Sequence, residues 1–395
     1  MPSNSELKLL AMRENERVRA AIIRGGTSKG VFLLASDLPR DPKVRDQVIL
    51  SIFGSPDPRQ IDGLGGADPL TSKVAIIARS TRPGADVDYT LGYVGVDKGL
   101  VDYEGNCGNI SQAVGPFAVD EGLVPVTEPM TQVRILNTNT NKLLVAEVPV
   151  RDGKAVTEGD FTIHGVPGTG ARIVVDFIDS AGSKTGKLLP TGNVVNEIKM
   201  KNGRSVRVSL VDAANPAVFV KAADVGLTGR ELPRDTQRHP EILAIMEEIR
   251  VQAALMMKLA TQPDKVSPAV PKVGIVAPAQ DYPTTIGETI AAADCDLLAR
   301  TLALGVMHKA YAVTGGICLS AAALIEGTVA YEVAGPRAKE TGVVRIGHPS
   351  GVSSFVVTVE KTASGKFELK KSAVAGTARR IMDGQVYIPR RLFAD

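Results

Sequence analysis

Short runs of apolar and β-branched residues recur along the first half of the chain and predict strands. Val and Ile dominate these runs, and each run is too short for a typical helix. Segments that contain glycine or proline separate them, as expected where strands are joined by turns. The predicted strands are Arg17–Ile23, Val31–Leu34, Lys73–Arg79, Val87–Val94, Val133–Asn137 and Leu143–Val150.

Helical patterns are few, and the clearest one is apolar on nearly every side. It covers about Ile110–Glu121, and a helix without a polar face is expected to be buried. A matching helix is predicted at about Leu319–Ile325, and a longer amphipathic helix on the surface at about Pro240–Leu259. Strands surrounding one buried helix predict the α+β class, with each sheet curled around a central helix.

Four segments of the first half recur in the same order in the second half, which predicts a duplicated domain. Chance recurrence of strand-like patterns is the alternative, because each match is weak alone. Four matches in one order favour two halves of similar fold. The matched pairs are 31–38 with 218–225, 73–78 with 272–277, the run opened by Cys107 with the run opened by Cys318, and 133–135 with 344–346.

A turn-rich stretch, Asp179–Asn193, is the predicted domain boundary. The expected domains are therefore residues 1–188 and 189–379. The last strand, residues 380–395, is expected to complete the first domain.

Composition and charge exclude several classes of protein. Lys and Arg number 46 and Asp and Glu 43 in 395 residues, a net charge of +3 that is too even for an electrostatic nucleic-acid binder. No apolar run is long enough for a membrane span, and the amino terminus lacks the pattern of a signal peptide. Three widely spaced cysteines favour free thiols in a reduced, cytoplasmic protein. The four scattered histidines predict no zinc site, and no cofactor is expected.

The strongest chemical motif is Gly105-Asn-Cys-Gly-Asn109, where a glycine-bounded turn becomes the predicted buried helix. The first N–H groups of a helix lack partners within it and stabilise an anion. A thiol at that place has a lowered pKa and can act as a thiolate base, while Gly108 and Asn109 offer N–H donors to a substrate carboxylate. The alternative is that Cys107 is a small apolar residue that fills a tight turn.

Cys318 is predicted as the repeat partner of Cys107, next to Gly315 and Gly316. Two thiols facing one carbon would suit a racemase without a cofactor, because one removes a proton and the other returns one. A structural role for Cys318 is the alternative, and a structural role is expected for Cys295.

Three further glycine-rich turns are candidate cradles for anions. Arg24–Gly30 and Gly63–Lys73 lack the spacing of nucleotide-binding loops, and Gly347–Gly351 is the third. Each turn also has an interpretation without a function. Arg24–Gly30 would be a polar hairpin turn, Lys73 an ordinary exposed lysine, and His348 a structural histidine. The candidate substrate-binding residues are Arg24, Thr27, Ser28, Gly65, Gly66, Ser72, Gly108, Asn109, Gly315, Gly316, His348 and Ser350.

Taken together, these motifs resemble the PrpF family of 2-methylaconitate cis–trans isomerases, within the diaminopimelate-epimerase-like superfamily. The resemblance spans nearly the whole chain, and its most specific parts are GNCGN and RGGTSKG. The matching segments are RGGTSKGVF (24–32), GSPDPRQIDGLGGAD (54–68), LTSKVAII (70–77), GNCGN…VGPFA (105–118), PTGN (190–193), VAPAQDY (276–282), GHPSG (347–351) and ARRIMDGQVYIP (378–389).

The resemblance implies two similar α+β domains with the active site in the cleft between them. It also implies cofactor-free proton transfer on small unsaturated di- and tricarboxylates, with Lys73 and Cys107 as the catalytic pair. The family usually has a small residue without a thiol at the position of Cys318, so whether Cys318 shares acid–base duty stays open.

The function predicted from the sequence is an isomerase that moves one proton across an allylic system. Its expected substrate is 2-methylaconitate, an intermediate of propionate breakdown by the methylcitrate route. Methylitaconate, oxalomesaconate and aconitate are alternative substrates for a Δ-isomerase or tautomerase. A two-cysteine amino-acid epimerase and an organic-acid binder without activity are further alternatives. No nucleic-acid or membrane partner is expected, and a homodimer is a candidate assembly.

Overall fold

The computed structural model describes residues 14–104, 106–236, 240–267, 270–303 and 306–393. Gly105 of the GNCGN motif and His239 lie outside the described residues. The strands are β1 Asn15–Gly25, β2 Ser28–Leu34, β3 Lys73–Arg79, β4 Val87–Val94, β5 Val101–Asp102, β6 Met130–Asn137, β7 Lys142–Arg151, β8 Lys154–Ala155, β9 Ile173–Phe177, β10 Asn196–Lys199, β11 Ser205–Ala213, β12 Asn215–Lys221, β13 Lys272–Pro278, β14 Tyr282–Pro283, β15 Thr289–Ile290, β16 Leu297–Ala303, β17 Val306–Met307, β18 Val343–His348, β19 Gly351–Lys361, β20 Phe367–Gly376 and β21 Ala378–Pro389.

Helices make up much less of the structure than strands. They are α1 Pro42–Phe53, α2 Gly108–Asp120, α3 Pro233–Thr236, α4 Pro240–Met256, α5 Val313–Leu324, α6 Val329–Val333 and α7 Pro336–Thr341. The α+β class predicted from the sequence is confirmed.

The chain forms two compact units. The first consists of Met1–Phe161, Gly170–Ile173 and Gly376–Asp395, and the second of Thr162–Thr169 and Val174–Ala375. The carboxy-terminal segment belongs to the first unit, where β21 pairs with β1 along its whole length. The predicted limits of the two domains, 1–188 and 189–379, stay a prediction.

The first unit is a sheet curled around helix α2. Its strands follow the order β8–β7–β6–β4–β3–β2–β1–β21, with parallel pairs at β2–β3 and β4–β6. Helix α2 contacts strands from across this sheet, including both β8 and β21. Every residue from Gly108 to Val119 is buried, which agrees with the pattern that lacks a polar face.

The second unit repeats the arrangement around helix α5. Its strands follow the order β10–β11–β12–β13–β16–β18–β19–β20, with parallel pairs at β12–β13 and β16–β18. Helix α5 contacts β11, β12, β18 and β19 and is buried from Val313 to Ala323. The amphipathic helix α4 buries only part of its surface, as predicted for a surface helix.

Strand registers agree with three of the four sequence repeats. Val31 pairs with Val74 in the first unit, and Val218 pairs with Val273 in the second. Likewise, β4 and β6 pair in parallel as β16 and β18 do, so that Ile135 and Ile346 occupy corresponding places.

The fourth predicted repeat, Cys107 with Cys318, is wrong. Helix α2 begins directly after Cys107, but α5 begins at Val313, so Cys318 is the sixth residue of its helix. The helix was predicted to begin at about Leu319, but Gly315 and Gly316 already belong to the first turn of α5. Glycine is needed there for packing, since a Cβ on Gly316 would lie 2.1 Å from the Phe355 ring.

Candidate active site

Cys107 is the N-cap residue of helix α2. It has extended backbone angles, and its carbonyl accepts the first helical hydrogen bond, from Ser111 N at 3.0 Å. The Cys107 side chain accepts no capping hydrogen bond, but the nearby N–H groups of Asn109 and Ile110 lower the pKa of its thiol. The side chain is only 7% exposed. The sequence prediction that Cys107 stands where the turn becomes the buried helix is confirmed.

Lys73, the first residue of β3, meets Cys107. Its Nζ lies 3.4 Å from Cys107 Sγ and donates to Ser28 Oγ at 2.9 Å. Cys107 Sγ and Ser28 Oγ are 4.0 Å apart. All three side chains are buried. The parallel pairing of β2 and β3 brings the first residues of both strands to the end of the sheet where α2 begins. Of the predicted residues, Lys73, Cys107 and Ser28 thus form one cluster.

The surroundings of Cys107 favour the thiolate. Burial alone would raise the pKa of the Cys107 thiol, but the Lys73 ammonium and the N–H groups of Ile110 and Asn109 together lower it. Of the described residues, no carboxylate forms a salt bridge with Lys73. The arrangement places a thiol with a lowered pKa against a buried amine, and two such groups in contact suit proton transfer.

The glycine-rich loop between β1 and β2 packs tightly on the start of helix α2. A Cβ on Gly26, where φ is +51°, would lie 2.2 Å from Asn109 Oδ1. Two of the loop N–H groups predicted to bind an anion are already hydrogen-bonded, because Gly26 N donates to Thr377 O and Thr27 N to Asn109 Oδ1. The backbone of this loop therefore supports the helix start, and its side chains remain the groups that could meet a ligand.

Arg24 is also engaged with the backbone. Its Nη1 donates to the carbonyls of Gly26 at 3.0 Å and Thr377 at 2.9 Å. Burial and, to a lesser extent, the nearby Arg379 lower the pKa of Arg24. The guanidinium thus fixes the loop to the beginning of β21.

The second glycine-rich loop is organised by Gln60, which the sequence did not single out. The Gln60 amide donates to Ser72 Oγ and accepts from Ala67 N, both at 2.8 Å. Gly65 has no room for a side chain, because a Cβ there would lie 2.1 Å from the Gln60 amide. Likewise, a Cβ on Gly66 would lie 2.2 Å from Thr71 Oγ1.

Ser72 completes this network by donating to Val94 O at 2.8 Å. These contacts make Gly65, Gly66 and Ser72 parts of the support for β3, at the strand start that carries Lys73.

In the second unit, Cys318 occupies an environment unlike that of Cys107. Its Sγ donates to Val211 O at 3.4 Å, and the side chain is fully buried. Burial raises the pKa of the Cys318 thiol far above its ordinary value, even though the N–H groups of Ala213 and Ala217 oppose the shift. The thiol is therefore neutral and bound to a carbonyl. This arrangement contradicts the prediction that made Cys318 an equivalent of Cys107.

The neighbouring glycines differ in what they can donate. Gly316 N already donates to Ala312 O at 2.8 Å within the helix, so the prediction of a substrate donor there is wrong. Gly315 lies within the first three residues of α5, whose N–H groups have no acceptor inside the helix.

His348 and Ser350 flank the turn between β18 and β19. Ser350 N donates to His348 Nδ1 at 3.2 Å, His348 Nε2 lies 2.9 Å from Ser353 Oγ, and Ser350 Oγ donates to Lys309 O. Burial and the nearby Arg300 lower the pKa of His348 to about 3. The imidazole is thus neutral at physiological pH and holds the turn in shape.

The described residues contain no group of three or more His, Cys, Asp or Glu side chains placed to hold a metal ion. Every helix that the structure describes is too short or too polar to span a lipid bilayer.

Known proteins match this chain over almost its whole length. It is 50% identical over 386 residues to the 3-methylitaconate isomerase of Eubacterium barkeri, covering 96% of this chain and 99% of the relative. It is 38% identical over 392 residues to the 2-methyl-aconitate isomerase of Cupriavidus necator, covering 95% of this chain and 98% of the relative.

Solved structures give the same result for the fold. A methylitaconate-delta-isomerase superposes with a TM-score of 0.85 at 49% identity, over 97% of this chain and 98% of that one. A hydroxyproline epimerase from Agrobacterium vitis superposes with a TM-score of 0.54 at 13% identity, over 96% and 94% of the two chains. The second likeness shows a shared fold, the epimerase-like architecture predicted from the sequence.

The model of the PrpF protein family matches residues 15–389. This range holds Lys73 and Cys107 and nearly all of the described structure. The chain belongs to the PrpF family.

Proposed function

We propose that this chain isomerises a small unsaturated di- or tricarboxylate by moving one proton, with Cys107 and Lys73 as the acid–base pair. The observation that carries the proposal is the 3.4 Å contact between Lys73 Nζ and Cys107 Sγ at the start of the buried helix α2. The relatives with 38% and 50% identity are named isomerases of this substrate class, which supports the reaction type.

The thiolate is the base in the resting pair. Cys107 takes a proton from the carbon next to the double bond, and the electrons of that C–H bond move into the allylic system and its carboxylate. The resulting enolate-like anion is stabilised by N–H groups at the amino terminus of α2, where Gly108 and Asn109 lie. Such preorganised donors lower the barrier because a thiol is otherwise a weak base toward carbon.

The Lys73 ammonium is the acid. It returns a proton either to the far end of the allylic system, which shifts the double bond, or to the original carbon after bond rotation, which exchanges cis and trans forms. Cys107 is then a thiol and Lys73 an amine. Transfer of the proton from Sγ to Nζ across their 3.4 Å contact restores the thiolate and ammonium.

Methylitaconate and 2-methylaconitate are the first substrates to test. The motifs of the chain predict 2-methylaconitate, while the higher identity to a methylitaconate isomerase favours a double-bond shift in methylitaconate. With 2-methylaconitate as substrate, the enzyme would act in the cytoplasm on the methylcitrate route of propionate breakdown. Oxalomesaconate and aconitate are the other candidate acids.

The test is proton NMR of each acid in D₂O with the purified wild-type protein, and with proline in a parallel sample. We expect isomer formation together with deuterium uptake at the allylic carbon of at least one acid, and no exchange at Cα of proline. Exchange into proline without exchange into any acid would indicate an amino-acid epimerase. Saturable binding of an acid without any exchange would indicate a binding protein. Either of these results would contradict the proposal.

A further inference from the structure

Tyr93, which no motif singled out, lies beside the acid–base pair. It is on β4, directly opposite Lys73 in the antiparallel pairing of β3 and β4. Residues at such opposed positions place their side chains on the same face, close enough to interact. Its position in the ladder therefore brings its ring to the end of the sheet where Lys73 and Cys107 meet.

The ring of Tyr93 faces the charged end of Lys73. Lys73 Nζ lies 5.5 Å from the ring centroid, within the range over which an aromatic face attracts a cation. Lys73 is only 4% exposed, so its ammonium has lost most of its hydration. The electron-rich face attracts the ammonium and holds it beside Cys107, where its positive charge lowers the pKa of the thiol.

The hydroxyl of Tyr93 holds the other side of the pair. It donates to Asn106 O at 3.1 Å, and Asn106 is the residue directly before Cys107. The Asn106 side chain is itself fixed, because its Oδ1 accepts from Asn137 Nδ2 at 3.0 Å. Burial, together with negative charge and hydrogen bonding at Cys107, raises the pKa of Tyr93 well above its ordinary value, so the phenol keeps its proton as a donor.

We infer that Tyr93 is the positioning residue of the Lys73–Cys107 pair. One side chain stabilises the ammonium through its ring and orients the cysteine through the preceding carbonyl. The inference rests on the proposed function for its catalytic consequence, but its effect on the thiol is present without any substrate. The ring and the hydroxyl have separate tasks, so they can be tested by separate substitutions.

The experiment compares wild type with Tyr93→Phe, which keeps the ring, and Tyr93→Leu, which removes it. Tyr103→Phe is the matched control, because it removes a hydroxyl that binds Asp46 in the same unit. Each protein is alkylated with iodoacetamide between pH 5 and 9 without substrate. Labelling of Cys107 is followed by peptide mass spectrometry and scaled to its own high-pH limit. The kinetic constants kcat and KM of each protein are measured with the acid that wild type isomerises.

For Tyr93→Leu we expect the midpoint of Cys107 labelling to move to higher pH, and the scaled labelling rate at pH 7 to fall about tenfold. Tyr103→Phe should keep the wild-type midpoint, and Tyr93→Phe should move it by clearly less than Tyr93→Leu, since it removes the hydroxyl near Cys107 and keeps the ring. Tyr93→Phe should lower kcat with little change in KM, since the hydroxyl orients Cys107 and the substrate is bound elsewhere.

An unchanged midpoint in Tyr93→Leu, or an equal shift in Tyr93→Phe, would overturn the role of the ring. A wild-type kcat in Tyr93→Phe would overturn the role of the hydroxyl, and this variant decides the matter if the leucine variant does not fold. If wild type isomerises no acid, the proposed function fails, while the alkylation midpoints still report on Tyr93.

Discussion

The two units share a fold but differ in the residues where the parallel strands and the buried helix begin. In each unit a lysine is the first residue of a strand in a parallel pair. Lys73 begins β3, which pairs with β2, and Lys272 begins β13, which pairs with β12. In each unit a buried helix follows, yet its N-cap is Cys107 in the first and Ala312 in the second. The first residue of the partner strand also differs, Ser28 in β2 against Asn215 in β12. Strand register and the buried helix are thus alike in the two units, while among the described residues the contact of a lysine with a cysteine at the helix start belongs to the first unit.

The two helical cysteines show how position decides the chemistry of a thiol. Cys107 precedes its helix and receives N–H groups and an ammonium, so its pKa is lowered despite burial. Cys318 lies further along its helix, bonded to the Val211 carbonyl, and burial raises its pKa. The same residue type thus has a lowered pKa at a helix start and a raised pKa inside a helix, because the groups around the thiol differ.

The largest effect is expected from removing the lysine of the first unit. Lys73→Ala should lower kcat by about a thousandfold, because a positioned acid typically contributes 10² to 10⁴ in rate. It should also raise the pKa of Cys107, since the ammonium is the main group that lowers it. Lys272→Ala is the matched change in the second unit and should leave kcat within about threefold of wild type. Steady-state kinetics of both variants checks this, and equal losses would contradict the assignment of the chemistry to one unit.

The glycine-rich loop of the first unit should be sensitive to a single methyl group. Gly26→Ala combines a positive φ with a clash against Asn109, so we expect a stability loss of at least about 1–2 kcal/mol and a fall in kcat. Gly203→Ala in the second unit also has positive φ but open space around it, so it should lose stability and keep kcat. Urea unfolding with parallel kinetics separates the two results. A wild-type kcat in Gly26→Ala would show that the loop does not position the helix start.

The pH dependence of catalysis should report the thiol and not the histidine. Because the pKa of Cys107 is lowered, kcat/KM should stay high below the ordinary thiol pKa and fall as the thiolate is protonated at lower pH. His348 is neutral throughout this range, since burial lowers its pKa to about 3. His348→Asn should therefore leave the midpoint of the acidic limb unchanged. A profile from pH 5 to 9 tests this, and a midpoint that moves in the histidine variant would contradict it.

The smallest effect is expected at Cys318. Cys318→Ala removes one hydrogen bond to a buried carbonyl, so we expect a stability loss of about 1 kcal/mol without a change in the pH profile. Thermal unfolding measures the first quantity. A shifted acidic limb in this variant would reveal a role for the second thiol in proton transfer.

Much of the scaffold could be predicted from local patterns. Runs of β-branched residues marked the strands that hold the site, and the segment without a polar face marked helix α2. Cys107 was placed correctly because a glycine-bounded turn followed by an apolar run is a local signal for a helix start. Three of the four matched segments also occupy corresponding places in the parallel strand pairs of the two units.

Features that depend on contacts between distant segments were not predicted. The start of α5 was placed about six residues too late, because glycine disfavours a helix and the packing of Phe355 against Gly316 is not a local signal. The loop N–H groups of Gly26 and Thr27 seemed available, but their acceptors lie far along the chain. Tyr93 could be found once β3 and β4 were paired, because it then stands opposite Lys73.

The most direct test of a single acid–base pair is deuterium uptake by the substrate in D₂O, compared between Cys107→Ala and Cys318→Ala. The account predicts that Cys107→Ala takes up no deuterium into the acid above the rate without enzyme. Cys318→Ala should exchange and isomerise at close to the wild-type rate. Loss of exchange in a folded Cys318→Ala protein, or exchange that persists in Cys107→Ala, would contradict the assignment of the chemistry to the first unit.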